Sequence, residues 1–97
     1  MIRIVKMTFR EDKVGEFLEN FNSNKKNIRN FEGIEHLELL NDKSNTTIFF
    51  TYSIWQSEEH LENYRNSDLF KSVWAKTKIL FKNKPQAWSV DKIVRLP

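Results

Sequence analysis

The stretch Tyr52-Ser53-Ile54-Trp55-Gln56-Ser57-Glu58-Glu59-His60-Leu61 gathers the residue types in this chain best suited to chemistry. A β-branched and aromatic run from Thr46 stops at Trp55. Ser57, followed by two acids, then opens a helix, because a Ser oxygen accepts the free backbone N–H groups of a first helical turn. A helix folding back over the strand end makes Trp55 the wall of a roofed apolar slot with one indole N–H in it. Such a slot suits a flat aromatic ligand better than a sugar or a phosphate. His60 and Tyr64 follow on the same short helix and add an imidazole and a phenol.

Other chemistries are excluded by composition. The chain has no cysteine, hence no disulfide, no thiolate nucleophile and no Cys-based metal site. Its two histidines, His36 and His60, do not form a metal-ligand spacing, so no metal site is expected. His36 falls mid-strand among Ile34, Glu38 and Leu40, which fits an interface or surface role. Sixteen basic and 13 acidic residues give a net charge of +3 and are interspersed along the chain, a pattern of solvated surface rather than of a nucleic-acid footprint. Lys76, Lys78, Lys82 and Lys84 solvate one side of a helix end and favour its negative pole. No apolar stretch approaches the length of a membrane span, and Met1 leads straight into a strand pattern, so a cytoplasmic protein is expected.

The elements that position the slot are legible in the periodicity. At 97 residues the chain is expected to form one domain over residues 1–97, long enough to bury roughly two-thirds of its unfolded surface. Ile2 to Phe9 alternates as a strand, with Val5, Met7 and Phe9 on one face. A helix starting at Arg10-Glu11-Asp12 carries Val14, Phe17, Leu18, Phe21 and Ile28 on one stripe and breaks at Asn30 to Gly33. Ile34 to Leu40 is a strand, Asn41 to Asn45 a polar turn, and Thr46 to Trp55 a strand. A short helix covers Ser57 to Arg65. Asn66-Ser67-Asp68 caps another, with Leu69, Phe70, Val73, Trp74, Leu80 and Phe81 inward. Pro85 closes it, and Gln86 to Val94 is the last strand.

The order is βαββαβ, an α+β ferredoxin-like sandwich with helices on one face of an antiparallel sheet. The third strand is apolar on both sides: Ile48, Phe50, Tyr52 and Ile54 on one, Phe49, Thr51, Ser53 and Trp55 on the other. Two helical segments cover one face only, so a homodimer burying sheet against sheet is expected.

The strand Ile2–Phe9, Phe31-Glu32-Gly33, Ser53-Ile54-Trp55-Gln56-Ser57, Leu61 and Asn66-Ser67-Asp68-Leu69-Phe70 together resemble the antibiotic biosynthesis monooxygenase family of the dimeric α+β barrel superfamily. The likeness spans nearly the whole chain. Two positions depart from the family pattern: Ser53 stands where Glu is usual, and Tyr64 where His is frequent. The likeness extends to a haem-degrading branch. There Trp55 matches, but Trp74 occupies the His position and the first strand holds no Asn, so haem oxygenation is not expected without an axial imidazole.

What the resemblance implies is oxidation of electron-rich hydroxylated aromatics by dioxygen with no metal, flavin or other cofactor. The protein would supply a dry flat cavity, a proton acceptor and donors for the anion. Phe49, Thr51, Ser53 and Trp55 would form its wall, roofed by Phe17, Phe21, Phe70, Val73 and Trp74. Trp55 and Tyr64 would donate and His60 would act as base. Each residue also has a plain packing role: Trp74 continues the stripe from Phe70 to Phe81, Leu61 and Tyr64 dock the short helix, and His60 beside Glu58 and Glu59 reads as solvated surface.

Two other classes of function fit the same order of elements. One is a non-catalytic dimeric domain binding a small aromatic, favoured by the loss of titratable groups at Ser53 and Tyr64. The other is an RNA-recognition domain stacking bases on Phe50 and Tyr52. It is disfavoured because the strand Asn45 to Tyr52 has no Gly and no leading basic residue.

Overall fold

Period-two alternation shows at the end of strand β1 (Ile2–Phe9): Met7 and Phe9 are buried, whereas Lys6 and Thr8 are half-buried. The computed structural model describes residues 1–97. A 3-10 turn (Glu11–Lys13) leads into α1 (Val14–Arg29), followed by β2 (Ile34–Asn41), β3 (Ile48–Trp55), α2 (Glu58–Arg65), α3 (Asp68–Lys78) and β4 (Phe81–Val90). The sheet order is β2-β3-β1-β4 with every neighbouring pair antiparallel. This is the ferredoxin-like α+β sandwich that the periodicity predicts.

Caps fix where the helices begin. The Ser57 hydroxyl accepts from the His60 backbone N–H (3.2 Å) and the Ser67 hydroxyl from that of Phe70 (3.1 Å). Asn20 on α1 donates to the Val73 carbonyl and to the Thr77 hydroxyl, which ties α1 to α3 across a largely apolar contact.

The last strand differs from expectation. Strand β4 runs from Phe81 to Val90, not from Gln86 to Val94, and α3 stops at Lys78. Phe81 is drawn into the sheet opposite Phe9, against whose ring it stacks at 5.2 Å. Pro85 is tolerated because β4 is an edge strand and its pairing with β1 slips in register there, between Gln86 opposite Lys6 and Asn83 opposite Thr8. Past Val90 the chain runs out of partner, since Val90 already pairs with Ile2. Ile93, Val94 and Leu96 are accordingly exposed. Strand β3 also begins two residues later than expected, because Asn45 accepts from both the backbone and the hydroxyl of Thr47 and holds that segment in the turn.

The face of the sheet away from the helices carries an apolar patch beside Lys6, His36 and Glu38. Ile2, Ile4, Phe50, Tyr52 and Ile54 are half-buried there, and Leu40, Trp88 and Val90 are exposed.

Gly33 precedes β2 with φ +94°, a region that side chains rarely adopt, and a Cβ there would overlap the His60 ring. Gly33→Ala is expected to destabilise the fold by about 1–3 kcal/mol from the backbone alone, with more from the overlap. Urea unfolding checks this, and His60→Ala in the same background should recover only the ring's share of the overlap, because the His60 Cβ remains.

Candidate functional site

The core is divided. One cluster joins Met7, Phe9, Phe17, Phe49 and Leu80; the other joins Ile28, Ile34, Trp55 and Leu61. Between them lies a hollow of about 290 Å³, at the lower end of ligand-site volumes and sized for one or two fused rings. Its floor is the inner face of the sheet, where side chains are short: Thr51 and Ser53 on β3, Val5 on β1, Ala87 on β4. These lie in two adjacent cross-strand rows, Ala87–Val5–Thr51–Leu39 and Ser89–Arg3–Ser53–Leu37. Its roof comes from Phe17 and Phe21 of α1, Tyr64 of α2, and Phe70, Val73 and Trp74 of α3.

A chain of rings runs along that roof. Trp55 and Tyr64 are 5.2 Å apart between centroids, Tyr64 and Phe70 5.2 Å, Phe70 and Trp74 5.7 Å in a near-parallel stack, and Trp74 and Phe81 5.5 Å. Edge-to-face and offset contacts of this kind hold the roof rigid at its full height.

Trp55 closes one end of the hollow and is almost fully buried. Its indole N–H is not free: it donates to the Ser53 hydroxyl at 3.0 Å, and that hydroxyl in turn donates to the Arg3 carbonyl at 3.4 Å. The indole therefore offers a ligand its ring rather than a donor. Tyr64 is different. Burial pushes its phenol up to about 12, so it stays protonated at neutral pH. No protein group hydrogen-bonds to its hydroxyl, and the residue faces the hollow as a neutral donor.

His60 departs from the expected arrangement. It does not line the hollow. Its Nδ1 sits 2.7 Å from the Ser57 hydroxyl and its ring lies over Gly33, so the capping residue turns it away from the site. The expectation that His60 is the base is corrected on that ground. Phe49 is likewise absent from the cavity wall: it is packed inside the first cluster, against Phe9 and Phe17. The other residues expected at the site, Thr51, Ser53, Trp55, Phe17, Phe21, Tyr64, Phe70, Val73 and Trp74, are brought together around the hollow. His36 is remote, beside Glu38 and Tyr52 on the opposite face.

Among the lining residues outside the expected set are the two cations of the wall, Arg3 and Arg65. Arg3 shares the alternation of Val5, Met7 and Phe9, so its inward direction was available from the pattern. Its guanidinium donates to the Ser89 hydroxyl at 3.0 Å. Burial pulls it below its ordinary value, with the Arg65 cation acting in the same sense and Glu62 opposing, and it remains a cation at neutral pH.

The family model for antibiotic biosynthesis monooxygenases matches residues 1–76. No curated protein matches the chain. Among solved structures, a conserved protein from Methanosarcina mazei Go1 superposes with a TM-score of 0.83 at 23% identity, over 89% of this chain and 86% of that one. A Nitrosomonas europaea protein provisionally given the same family name superposes at 0.88 and 13% identity, over 96% and 98%. A third, described as an antibiotic biosynthesis monooxygenase, superposes at 0.89 and 10% identity, over 97% and 100%. At such identities the likeness is one of fold.

The bond from Trp55 to Ser53 has a measurable worth. Ser53→Ala should cost about 1–3 kcal/mol by leaving a buried indole N–H unpaired. Trp55→Phe, though itself destabilising, should make that second change nearly neutral. A double-mutant cycle in urea checks the coupling; additive losses would mean that the bond contributes nothing.

Proposed function

The chain belongs to the antibiotic biosynthesis monooxygenase family, and from that premise we propose that its hollow binds a small hydroxylated aromatic or quinol which the protein oxidises with dioxygen. The observation that carries this reading is an aromatic cavity lined by a phenol that keeps its proton, that of Tyr64, whose hydroxyl has no protein partner. A ring slid between the short floor and the stacked roof would be shielded from water and held flat. Tyr64 would hydrogen-bond the substrate oxygen, and its donor would strengthen as charge develops there.

The reaction balances without help from a protein redox group. A deprotonated phenol gives one electron to dioxygen, and the caged radicals combine into a ring hydroperoxide. Loss of water then leaves a quinone, so one phenol and one dioxygen yield one quinone and one water. The protein's part is to exclude solvent, orient the ring and stabilise its oxygen. No residue facing the hollow is suited to act as base, because His60 is turned away and Tyr64 holds its proton. The substrate must therefore ionise by its own acidity or with a proton lost to solvent. That same observation favours a second reading, a domain that binds a small aromatic without turning it over.

Oxygen uptake separates the two. With menadiol or anthrone in air, the wild-type protein is expected to exceed the buffer rate, and Tyr64→Phe to lower kcat by at least about tenfold. Uptake equal to buffer for every such substrate would leave only the binding reading.

The apolar outer face of the sheet supports pairing with a second copy of the chain, with the half-buried Ile4, Phe50, Tyr52 and Ile54 at its centre. Sedimentation equilibrium at micromolar concentration is expected to give twice the 11.7 kDa chain mass. Tyr52→Glu, which puts a charge into that face, should shift it toward monomer.

A further inference from the structure

The charged side chains of the cavity wall are unbalanced. Arg3 and Arg65 line it, and no Asp or Glu does. Arg65 is engaged outside, 3.4 Å from Glu62 in a pair about half exposed on both sides. Arg3 comes from the central strand of the sheet on its inner face, opposite Ser53 on one neighbour and Ser89 on the other. Neither cross-strand partner is an acid. Its guanidinium bonds to one neutral hydroxyl, that of Ser89, which leaves most of its five donors unspent.

Glu62 is the one acid felt by this half-buried cation, and it is already paired with Arg65, so beside the apolar hollow Arg3 is only partly neutralised and a ligand anion would complete the balance. We propose that the natural ligand is an aromatic acid: one or two fused rings in the hollow, carrying a carboxylate that Arg3 binds at its mouth. The planar fork of an Arg matches a carboxylate with two parallel hydrogen bonds, which a lone ammonium does not. Arg65 adds a second, weaker attraction at the rim, screened by solvent and by Glu62. The assignment rests on the reading of the hollow as an aromatic site and narrows it, since neutral quinols and anthrones lack the group that Arg3 would hold.

The test uses binding rather than turnover, and a pair of probes that share the ring and hydroxyl and differ in whether the carboxylate is free or masked as a methyl ester. By calorimetry, 1-hydroxy-2-naphthoate is expected to bind wild-type protein at least tenfold more tightly than its methyl ester. Arg3→Gln should bring the two within about twofold, Arg3→Lys should keep a smaller preference, and 1 M salt should shrink the wild-type preference only in part, because the pair is partly buried. Thermal unfolding of each variant shows whether it is folded; should Arg3→Gln fail to fold, Arg3→Lys and the salt series carry the test. Equal affinity for acid and ester, a preference unchanged by either substitution, or binding of neither probe would overturn the assignment. Oxygen uptake on neutral quinols together with no preference for the acid would remove this inference alone. Preference for the acid with no uptake on any substrate would remove the oxidation and leave it standing.

Discussion

Everything at the site depends on the helical layer being held off the sheet by rings at both ends while the floor between them is made of short side chains. At one end Phe9 stacks on Phe17 at 4.1 Å, and at the other Trp55 is packed with Ile28, Ile34 and Leu61. Thr51, Ser53 and Ala87 do not reach the roof, and the rigid rings cannot collapse onto them. A sealed void costs about 24 cal/mol for each Å³. A hollow of about 290 Å³ is therefore an expensive thing for so small a chain to keep, even with a mouth open to water. Larger residues at positions 51, 53 and 87 would have removed it.

The electrostatic character of the hollow follows from what packing leaves there. Desolvation acts on the two titratable side chains of the interior in opposite chemical senses: it keeps the Tyr64 phenol neutral, and it weakens but does not abolish the charge of Arg3. The cavity thus presents donors and a cation, and nothing that takes a proton. Such a surface lowers the pKa of a bound phenol or holds a carboxylate, and it does so by stabilising the anion rather than by removing the proton. Catalysis through a protein base does not fit this geometry.

Much of this was legible in the chain because local signals agreed with one another. Ser57 and Ser67 announced two helix starts, the alternation of β3 separated Thr51, Ser53 and Trp55 from Ile48, Phe50 and Tyr52, and the stripe through Phe70, Val73 and Trp74 gave the roof. The failures have separate causes. Strand β4 was placed too late because Pro85 read as a terminator, whereas an edge strand with slipped pairing accommodates it. Helical spacing puts His60 and Tyr64, four residues apart, on one face. A hydrogen bond to the capping serine nevertheless turns the imidazole away, a tertiary detail that spacing does not encode. Arg3 carries the charge of a solvent-facing residue, although its phase with Val5 and Met7 points it inward.

The serine at position 53 shows how one residue sets both the shape and the sign of the site. It lies directly across from Arg3 in the ladder, and its hydroxyl accepts a hydrogen bond from the Trp55 indole N–H while donating to the Arg3 carbonyl. The glutamate that the resemblance leads one to expect at this position would stand opposite the guanidinium at cross-strand distance, where opposite charges attract. It would neutralise Arg3 from within and fill part of the floor. With serine there the indole is anchored by a neutral group, the floor stays low, and the positive charge of Arg3 is left for whatever enters. Replacing a carboxylate by a hydroxyl removes a proton acceptor from the floor and leaves the guanidinium of Arg3 without an acid opposite it in the ladder.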